Sequence, residues 1–380
     1  MLQISIPEIK RIEAIAKSSN EYISLSQGAL RIGGIPQEIK NHLKQVLNTD
    51  ATDYYQSAWG IMPLREKLAE KFSTKYSCNL SYKNILVTHG CMGAIASIIL
   101  TVLEKDDEAI LPEPTYPAYA NIIKVARGKP VFVSSLENNN PPYWNIDIEK
   151  IKAATTNRTK IILFSNPCNP LGTIVPEKVL LELKSWCEKK KIFLVVDESY
   201  DDYIFEETLT SATPMVTKSE WVIRTGSYSK SLSMSGWRIG FMVVPNNLSS
   251  SIGTIQDALI NCPNVFAQHA LMFALDHPEF IKKFHTQVNE SRNISVTILQ
   301  PLVKNKLLSF YKPPASFYLF LKTNEKDSFD LCMNILHTAK VGLIPGRAFG
   351  PSGSQFMRLC FARKPKILKE GLERILHFLG

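Results

Sequence analysis

The segment 226–240 combines hydroxyl side chains with two cations in a pattern that could support covalent chemistry. It follows an apolar segment, which we predict to be a strand, and its two cations are Lys230 and Arg238. A lysine in a loop is usually solvated, but burial beside strand ends disfavours the ammonium form and leaves a nucleophilic amine. Lys230 is therefore a candidate for covalent catalysis.

A carboxylate and a rigid turn follow two other apolar segments. Asp197 comes directly after residues 192–196, and a buried carboxylate there needs a cation or hydrogen-bond donors. Taken alone, Asp197 could equally cap a following helix. Residues 165–172 contain two Asn-Pro steps and a glycine. These steps favour a fixed, non-helical turn that presents the amide of Asn169.

One arginine stands inside an apolar segment near the C-terminus. Arg358 lies within residues 356–361, which are otherwise apolar. A guanidinium in such a segment needs a planar anionic partner, and a carboxylate bound through two parallel hydrogen bonds fits that need. The alternative is a structural salt bridge within the protein.

An alternation of apolar and amphipathic segments between about residue 85 and residue 245 predicts the strands and helices that position these residues. The apolar segments are rich in β-branched residues, as strands buried between two helix layers are. They comprise residues 85–88, 109–111, 131–133, 160–164, 192–196, 221–223 and 241–244. Seven strands with helical crossovers predict an α/β fold with a large, mostly parallel sheet between helix layers. Ligands of such sheets bind at the carboxyl ends of the strands, where the candidate residues lie.

A smaller α+β unit is predicted near the C-terminus. Two apolar segments, 317–321 and 356–361, are separated by a helical pattern over 330–340. We predict a large domain over residues 40–290. The small domain is predicted to combine residues 1–39 with residues 291–380.

Composition excludes several classes of protein. The 380 residues are 45% hydrophobic and 21% charged, which excludes disordered, collagenous and coiled-coil proteins. The net charge of +9 is spread along the chain without a zinc-finger spacing or an RNA-binding signature, so we expect small anionic ligands and no nucleic acid.

Cysteine usage and the N-terminal residues predict a cytoplasmic protein. The seven cysteines form no C-x-x-C pair, so we expect neither a disulfide framework nor a metal site. The N-terminal residues lack the pattern of a signal peptide. The longest apolar segment, 91–103, is too short to cross a bilayer, and we expect no membrane association.

Four motifs in order carry a resemblance to a known family. They are Asn-Pro-x-Asn-Pro at 166–170, Asp-x-x-Tyr at 197–200, Ser-x-x-Lys at 227–230, and an arginine eight residues after that lysine. Their order and spacing resemble the fold-type I aminotransferases that depend on pyridoxal 5'-phosphate. The class I/II branch, which includes bacterial aspartate and aromatic aminotransferases, is the most similar, and the likeness covers nearly the whole chain.

The resemblance implies a role for each residue around the cofactor ring. Lys230 matches the lysine that forms an imine with the cofactor aldehyde and then moves the substrate Cα proton. Asp197 matches the aspartate that keeps the pyridine nitrogen protonated, so that the ring accepts electrons. Tyr200 and Asn169 match the groups that hydrogen-bond the phenolic oxygen of the ring. Tyr116 matches the aromatic side chain stacked on the ring, although an aromatic after a proline often serves packing alone.

The resemblance also implies a phosphate site. Ser227 and Arg238 match two phosphate ligands of the family. A third contribution is implied at Gly90, Cys91 and Met92, where free amides at the start of a helix would favour an anion. An ordinary tight turn is the alternative for Gly90.

The substrate and a second subunit complete the implied site. Arg358 matches the arginine that binds the substrate α-carboxylate, with Gly28 and Asn169 close to that carboxylate. Tyr55 matches the tyrosine that reaches the phosphate of the neighbouring subunit. If Tyr55 has this role, the chain works as a homodimer with shared active sites.

Other positions bear on the substrate side chain. Aspartate-preferring bacterial relatives often carry lysine where this chain has Met92, and a thioether cannot pair with a distal carboxylate. Trp59 adds a large ring. Both favour apolar, aromatic or sulfur-containing substrates, while Arg31 and Arg347 remain candidates for binding a distal carboxylate.

Three hypotheses follow for the function. The first is an aminotransferase that moves an amino group between an L-amino acid and a 2-oxo acid through Lys230. The alternative is a C–S β-lyase of the same fold, because cofactor anchoring is common to both. A non-catalytic regulatory module is disfavoured, because Lys230, Asp197 and Arg358 occur together and Gly28 lies too near the N-terminus to leave room for a DNA-binding domain.

Overall fold

The computed structural model of the chain describes residues 8–137 and 143–380. Its helices are α1 (Glu8–Ala16), α2 (Gln37–Val46), α3 (Met62–Tyr76), α4 (Gly90–Val102), α5 (Pro117–Val125), α6 (Ile148–Ala154), α7 (Glu177–Lys190), α8 (Thr213–Val216), α9 (Tyr228–Ser231), α10 (Asn246–Ile260), α11 (Val265–Leu275), α12 (Glu279–Lys304), α13 (Phe329–Asn334) and α14 (Pro365–Leu379). Its strands are β1 (Ile23–Ser24), β2 (Ile85–Thr88), β3 (Glu108–Glu113), β4 (Lys129–Ser134), β5 (Leu136–Glu137), β6 (Tyr143–Trp144), β7 (Thr159–Ser165), β8 (Phe193–Asp197), β9 (Val222–Ser227), β10 (Gly240–Val243), β11 (Leu308–Ser309), β12 (Tyr318–Thr323), β13 (Val341–Gly342), β14 (Ile344–Pro345) and β15 (Phe356–Cys360).

The central sheet confirms the predicted fold class. Within the described residues its seven strands lie in the order β2-β10-β9-β8-β7-β3-β4, and each corresponds to one of the seven apolar segments. The pairs along β9-β8-β7-β3-β4 are parallel, whereas β10 is antiparallel to both of its neighbours. The sheet is therefore mostly parallel, as the crossover pattern predicts.

The apolar character of the strands follows from burial on both faces. Along β7, Ile161 and Leu163 pack into the core formed with α4 and α5, while Ile162 and Phe164 pack into the opposite core. Successive side chains of a strand point to opposite faces, so a strand covered on both sides is apolar throughout.

The C-terminal part of the chain forms a smaller sheet, and the N-terminal residues pack against the same unit. Its strands lie in the order β11-β12-β15-β14, and all of its pairs are antiparallel. The N-terminal β1 pairs with β13, and Leu25 shares one apolar core with Leu319, Leu359 and Leu372. The prediction of a smaller α+β domain built from both chain ends is confirmed. The limits given for the two domains stay a prediction, and residue 290 lies within α12.

No helix in the described parts of the chain combines the length and apolar character that crossing a bilayer requires.

Candidate active site

A cavity of about 510 Å³ lies at the carboxyl ends of the central strands and is also lined by residues of the small sheet. Most of the predicted site residues line it. They are Gly28, Cys91, Met92, Tyr116, Asn169, Asp197, Tyr200, Ser227, Lys230, Arg238 and Arg358. Gly90 and Tyr55 are not among the lining residues. The sequence motifs, which are separated by up to 330 residues, therefore converge on one cavity.

Lys230 is presented by the turn from β9 into the short helix α9. The Ser227 hydroxyl caps this helix by accepting the backbone N–H of Ser229 at 3.0 Å. The Lys230 ammonium donates to the backbone oxygen of Gly28. Burial lowers the pKa of Lys230 to about 8, and the positive charge of Arg358 acts in the same direction. A fraction of the amine is therefore neutral and nucleophilic near neutral pH.

Asp197 is held at the carboxyl end of β8 by hydrogen bonds to both of its oxygens. Oδ1 accepts the backbone N–H of Ser199 at 2.9 Å and its hydroxyl at 2.6 Å. Oδ2 accepts the Tyr119 hydroxyl at 2.6 Å. The helix-capping interpretation is wrong, because the described residues after β8 form a turn and the next helix is α8. Within the described chain no cation pairs with Asp197, so its charge is open to a ligand.

Arg358 carries a buried charge without a carboxylate partner. Its side chain is about 1% exposed, and it donates to Asn169 Oδ1 at 3.0 Å and to the backbone oxygen of Ser26 at 2.6 Å. The guanidinium carbon lies 4.4 Å from the centre of the Tyr318 ring. Across residues 8–137 and 143–380, no salt bridge to Arg358 forms and its Nε has no hydrogen-bond partner. The alternative of a structural salt bridge is wrong for this part of the chain.

Tyr200 and Asn169 lie in the cavity beside Arg358. The hydroxyls of Tyr200 and Tyr318 are hydrogen-bonded at 2.7 Å. Burial raises the pKa of the Tyr200 phenol well above its ordinary value, so the hydroxyl keeps its proton. The backbone N–H of Asn169 donates to the Ser165 hydroxyl at 2.9 Å, which fixes the turn after β7.

Arg238 and Ser227 lie near the start of α4, where β9, β10 and α4 meet. Arg238 donates to the backbone oxygens of Ser235 at 2.9 Å and His89 at 3.2 Å, which holds its guanidinium beside the start of α4. Gly90 has φ +69°, and a Cβ there would lie 2.3 Å from Nη2 of Arg238. Gly90 therefore permits the close approach of Arg238 without lining the cavity itself. Free helix amides, this guanidinium and the Ser227 hydroxyl together suit a phosphate.

Residues 20–375 match the sequence model of the family described as "Aminotransferase class I and II". The chain belongs to this family. The aspartate aminotransferase of Sulfolobus acidocaldarius is 29% identical over 351 residues, which are 90% of this chain and 86% of the relative. Relatives and structural neighbours are named as aminotransferases, so the protein is a transaminase that depends on pyridoxal 5'-phosphate, and the lyase alternative is not favoured.

Solved structures of other aminotransferases share the fold. The alanine aminotransferase from Pyrococcus furiosus has a TM-score of 0.89 and 27% identity, covering 98% of this chain and 97% of that one. The aromatic aminotransferase from Pyrococcus horikoshii has a TM-score of 0.87 and 26% identity, covering 97% of this chain and 98% of that one. The substrates in these names differ, so the names do not decide the substrate of this aminotransferase.

The residues of the cavity fit pyridoxal 5'-phosphate. Lys230 offers a partly neutral amine to an aldehyde, and Asp197 offers a carboxylate without a cation to a protonated ring nitrogen. Arg238, which approaches Gly90 closely, offers a positive charge to a phosphate. The Nε of Arg358 has no hydrogen-bond partner among the described residues.

Three further predicted residues of the lining, Cys91, Tyr116 and Met92, add no charge to the cavity. The Cys91 thiol donates to the Thr225 hydroxyl at 3.2 Å, and burial raises its pKa well above the ordinary value. The Tyr116 ring meets the Tyr119 ring edge-on at 5.5 Å between centres, and burial raises the pKa of Tyr116. Met92 adds an apolar side chain to the same wall.

Three residues considered for the substrate side chain lie elsewhere. Arg31 is paired with Glu13 at 3.0 Å, and Arg347 is paired with Glu8 at 2.7 Å. The Trp59 indole donates to the backbone oxygen of Ser249 at 3.1 Å and is not a lining residue. Neither arginine is therefore free for a distal carboxylate, and Trp59 does not restrict the cavity.

Three of the lining residues that the sequence did not indicate contact predicted site residues. Tyr119 and Ser199 hydrogen-bond to Asp197, and Tyr318 contacts both Tyr200 and Arg358. Tyr119 follows Tyr116 by three residues, which places both on one side of a helix that begins at Pro117, so this spacing was an available signal. Nothing in the sequence alone distinguished Tyr318 from a core aromatic.

Proposed function

We propose that Lys230, Asp197 and Arg358 form the catalytic centre through which this aminotransferase moves an amino group from an L-amino acid to a 2-oxo acid. The observation that carries the proposal is the content of one cavity of about 510 Å³. It contains an amine with a pKa of about 8, and among the described residues its carboxylate has no cation and its buried guanidinium has no carboxylate. The cofactor and the substrate would supply these two partners and an aldehyde for the amine.

Each side chain has a separate task in the proposed reaction. When bound, the cofactor supplies an aldehyde that takes up the amino group and a ring that accepts electrons. Arg358 binds the substrate α-carboxylate through two parallel hydrogen bonds and so fixes the direction of the Cα–H bond. The amine of Lys230, once neutral, takes the Cα proton and returns it on the other side of the transferred nitrogen. Asp197 accepts the N–H of the ring and keeps it protonated.

The cofactor anchors follow from the same geometry. We assign the phosphate to Arg238, Ser227 and the first amides of α4, which begins at Gly90, Cys91 and Met92. Asp197 and the Lys230 amine would hold the ring in this proposal. Tyr116 would stack on it, while Asn169 and Tyr200 would hydrogen-bond its phenolic oxygen.

A homodimer with shared active sites is part of the proposal. Tyr55 is about 83% exposed and Tyr54 about 68% exposed in the single chain, and both are large aromatics. Neighbouring exposed aromatics are typical of a surface that another protein covers. In the dimer, Tyr55 would reach the phosphate held by Arg238 of the other subunit.

The proposed substrates carry neutral side chains. Arg31 and Arg347 are paired with glutamates, and Met92 lines the cavity. Lys10 also lines the cavity, but it is exposed, and an exposed ion pair contributes only about 0–1 kcal/mol. Burying a distal carboxylate costs more than that without a buried partner. Apolar, aromatic and sulfur-containing amino acids therefore fit better than dicarboxylic ones.

We also propose that the enzyme is cytoplasmic, with the two domains limited as predicted at residues 40 and 290. The seven cysteines are all free thiols, which suits a reducing compartment.

The experiment that tests the catalytic assignment is chemical mapping of the cofactor. Borohydride reduction of the loaded enzyme, followed by digestion and mass spectrometry, should find the cofactor attached to the peptide that contains Lys230. Lys230→Ala should lose both the attachment and the visible absorbance, while Lys10→Ala, which changes another cavity lysine, should keep both. Attachment at any other lysine of the wild-type enzyme would overturn the assignment.

A further inference from the structure

We propose that Tyr119 is a positioning residue whose hydroxyl fixes the Asp197 carboxylate and directs it towards the ring nitrogen of the cofactor. This inference rests on the proposed function, in which Asp197 accepts the ring N–H. Tyr119 would act through Asp197, without contributing a group to the reaction itself.

The position of Tyr119 is fixed by the fold. It lies in the first turn of α5 and is about 1% exposed, within the core between that helix and the central sheet. Its ring packs edge-on against Tyr116, with 5.5 Å between centres. Because the ring is packed on all sides, its hydroxyl has one fixed position, at 2.6 Å from Oδ2 of Asp197.

The two oxygens of Asp197 are held by different elements. Oδ1 accepts two hydrogen bonds from Ser199, which belongs to the turn directly after β8. For Oδ2, Tyr119 is the hydrogen-bond donor found in the described parts of the chain. Ser199 therefore anchors one end of the carboxylate locally, while Tyr119 connects its other end to α5, 78 residues earlier in the sequence.

The hydrogen bond fixes the rotation of the carboxylate. Asp197 is about 5% exposed, and a buried polar group is stabilised by the hydrogen bonds that it makes. Burial, together with the nearby charge of Asp197, raises the pKa of Tyr119 well above its ordinary value, so the phenol stays a donor.

Loss of the Tyr119 hydroxyl should therefore first change the protonation of the ring nitrogen. Without a donor at Oδ2, the carboxylate is less firmly directed at the ring nitrogen, and the ring nitrogen is less completely protonated. A purely structural role of Tyr119 would change stability and leave the protonation of the ring unchanged.

The test uses holoenzyme loaded with cofactor that carries ¹⁵N in its ring. In wild-type enzyme the ¹⁵N chemical shift should be that of a protonated ring nitrogen. In Tyr119→Phe it should move towards the unprotonated value, with about tenfold weaker cofactor retention and a lower kcat at little-changed KM. Tyr76→Phe is the matched control, because it removes a hydroxyl that donates to another aspartate, Asp201, at 3.1 Å outside the cavity, and it should leave the chemical shift unchanged.

The outcomes separate this inference from the function on which it rests. An unprotonated ring in wild-type enzyme would overturn the role of Asp197 itself. A protonated ring in wild type with the same chemical shift in Tyr119→Phe would overturn only the role of Tyr119. Should Tyr119→Phe fold poorly, Ser199→Ala provides the second measurement: with the Tyr119 hydroxyl still donating to Oδ2, the ¹⁵N chemical shift should stay that of a protonated ring nitrogen. An unprotonated ring in Ser199→Ala would show that Tyr119 does not hold the carboxylate and would overturn the inference.

Discussion

The guanidinium of Arg358 donates to the amide oxygen of Asn169 across 3.0 Å and so connects the small sheet to the turn after β7. Arg358 belongs to β15, while Asn169 belongs to the turn that follows a strand of the central sheet. The cavity is thus closed on one side by a contact between the two sheets. A substrate carboxylate bound to Arg358 would lie at this contact.

Arg358→Lys should reduce kcat/KM for amino acids by about 100-fold, mainly through a higher KM. Lysine keeps the charge but cannot form two parallel hydrogen bonds, and loss of one partner of a buried charged pair costs about 2–5 kcal/mol. Steady-state kinetics measure the change. Arg292→Lys is the matched control, because Arg292 is also buried but pairs with Glu206 away from the cavity. Unchanged kinetics in Arg358→Lys would show that the arginine does not bind substrate.

The stability of the cofactor-free protein should depend on pH through Lys230. Its pKa is lowered from 10.5 to about 8, so the unfolded state binds more protons than the folded state between these values. The buried ammonium therefore destabilises the folded state fully below about pH 8, and this destabilisation is relieved as the pH rises towards 10.5.

Lys230→Met removes the amine and should stabilise the cofactor-free protein more at pH 7 than at pH 10. Urea unfolding of wild type and variant at both pH values measures the difference, in which the contributions of all other groups cancel. If the free energies of unfolding of wild type and variant differ by the same amount at both pH values, the lowered pKa of Lys230 is contradicted.

Hybrid dimers test whether Tyr55 acts across the interface. If Tyr55 reaches the active site of the partner subunit, a dimer of one Lys230→Ala subunit and one Tyr55→Ala subunit contains one active site with both residues intact. Purified with two different affinity tags, it should recover about half of the wild-type activity at limiting cofactor concentration. If Tyr55 serves its own subunit, the hybrid should be no more active per Lys230-containing site than the Tyr55→Ala homodimer.

Met92→Lys should increase kcat/KM for aspartate relative to methionine by about tenfold. A cation in the cavity wall would supply the distal carboxylate with the charged hydrogen bond that it otherwise lacks. Lys10→Met is the control and should change this ratio less than about twofold, because Lys10 is exposed. Loss of aspartate turnover in Lys10→Met would contradict the preference for neutral side chains.

The central sheet and most of the site were predictable because local patterns determine them. Strands buried on both faces must be apolar, so residues 160–164 and 192–196 indicated β7 and β8, and Asp197 followed from its place at a strand end. Arg358 was predictable for a similar reason, since a guanidinium in an apolar strand needs an anion.

Pairings between distant elements could not be predicted in this way. Arg347 meets Glu8, which lies 339 residues earlier, only because α1 packs beside the small sheet. The direction of the Trp59 indole, towards Ser249 of α10, likewise depends on tertiary packing. Sequence spacing carries no information about such contacts. Arg31 and Arg347 are both engaged in ion pairs, so Met92 alone still favours substrates with neutral side chains.

A single-turnover reaction with an amino acid and no oxo acid tests the central claim most directly. The enzyme should convert its cofactor once, release one equivalent of 2-oxo acid per active site and form no ammonia. Addition of a second 2-oxo acid should then restore the original absorbance. Continued turnover with release of ammonia in the absence of an oxo acid would contradict transamination at this site.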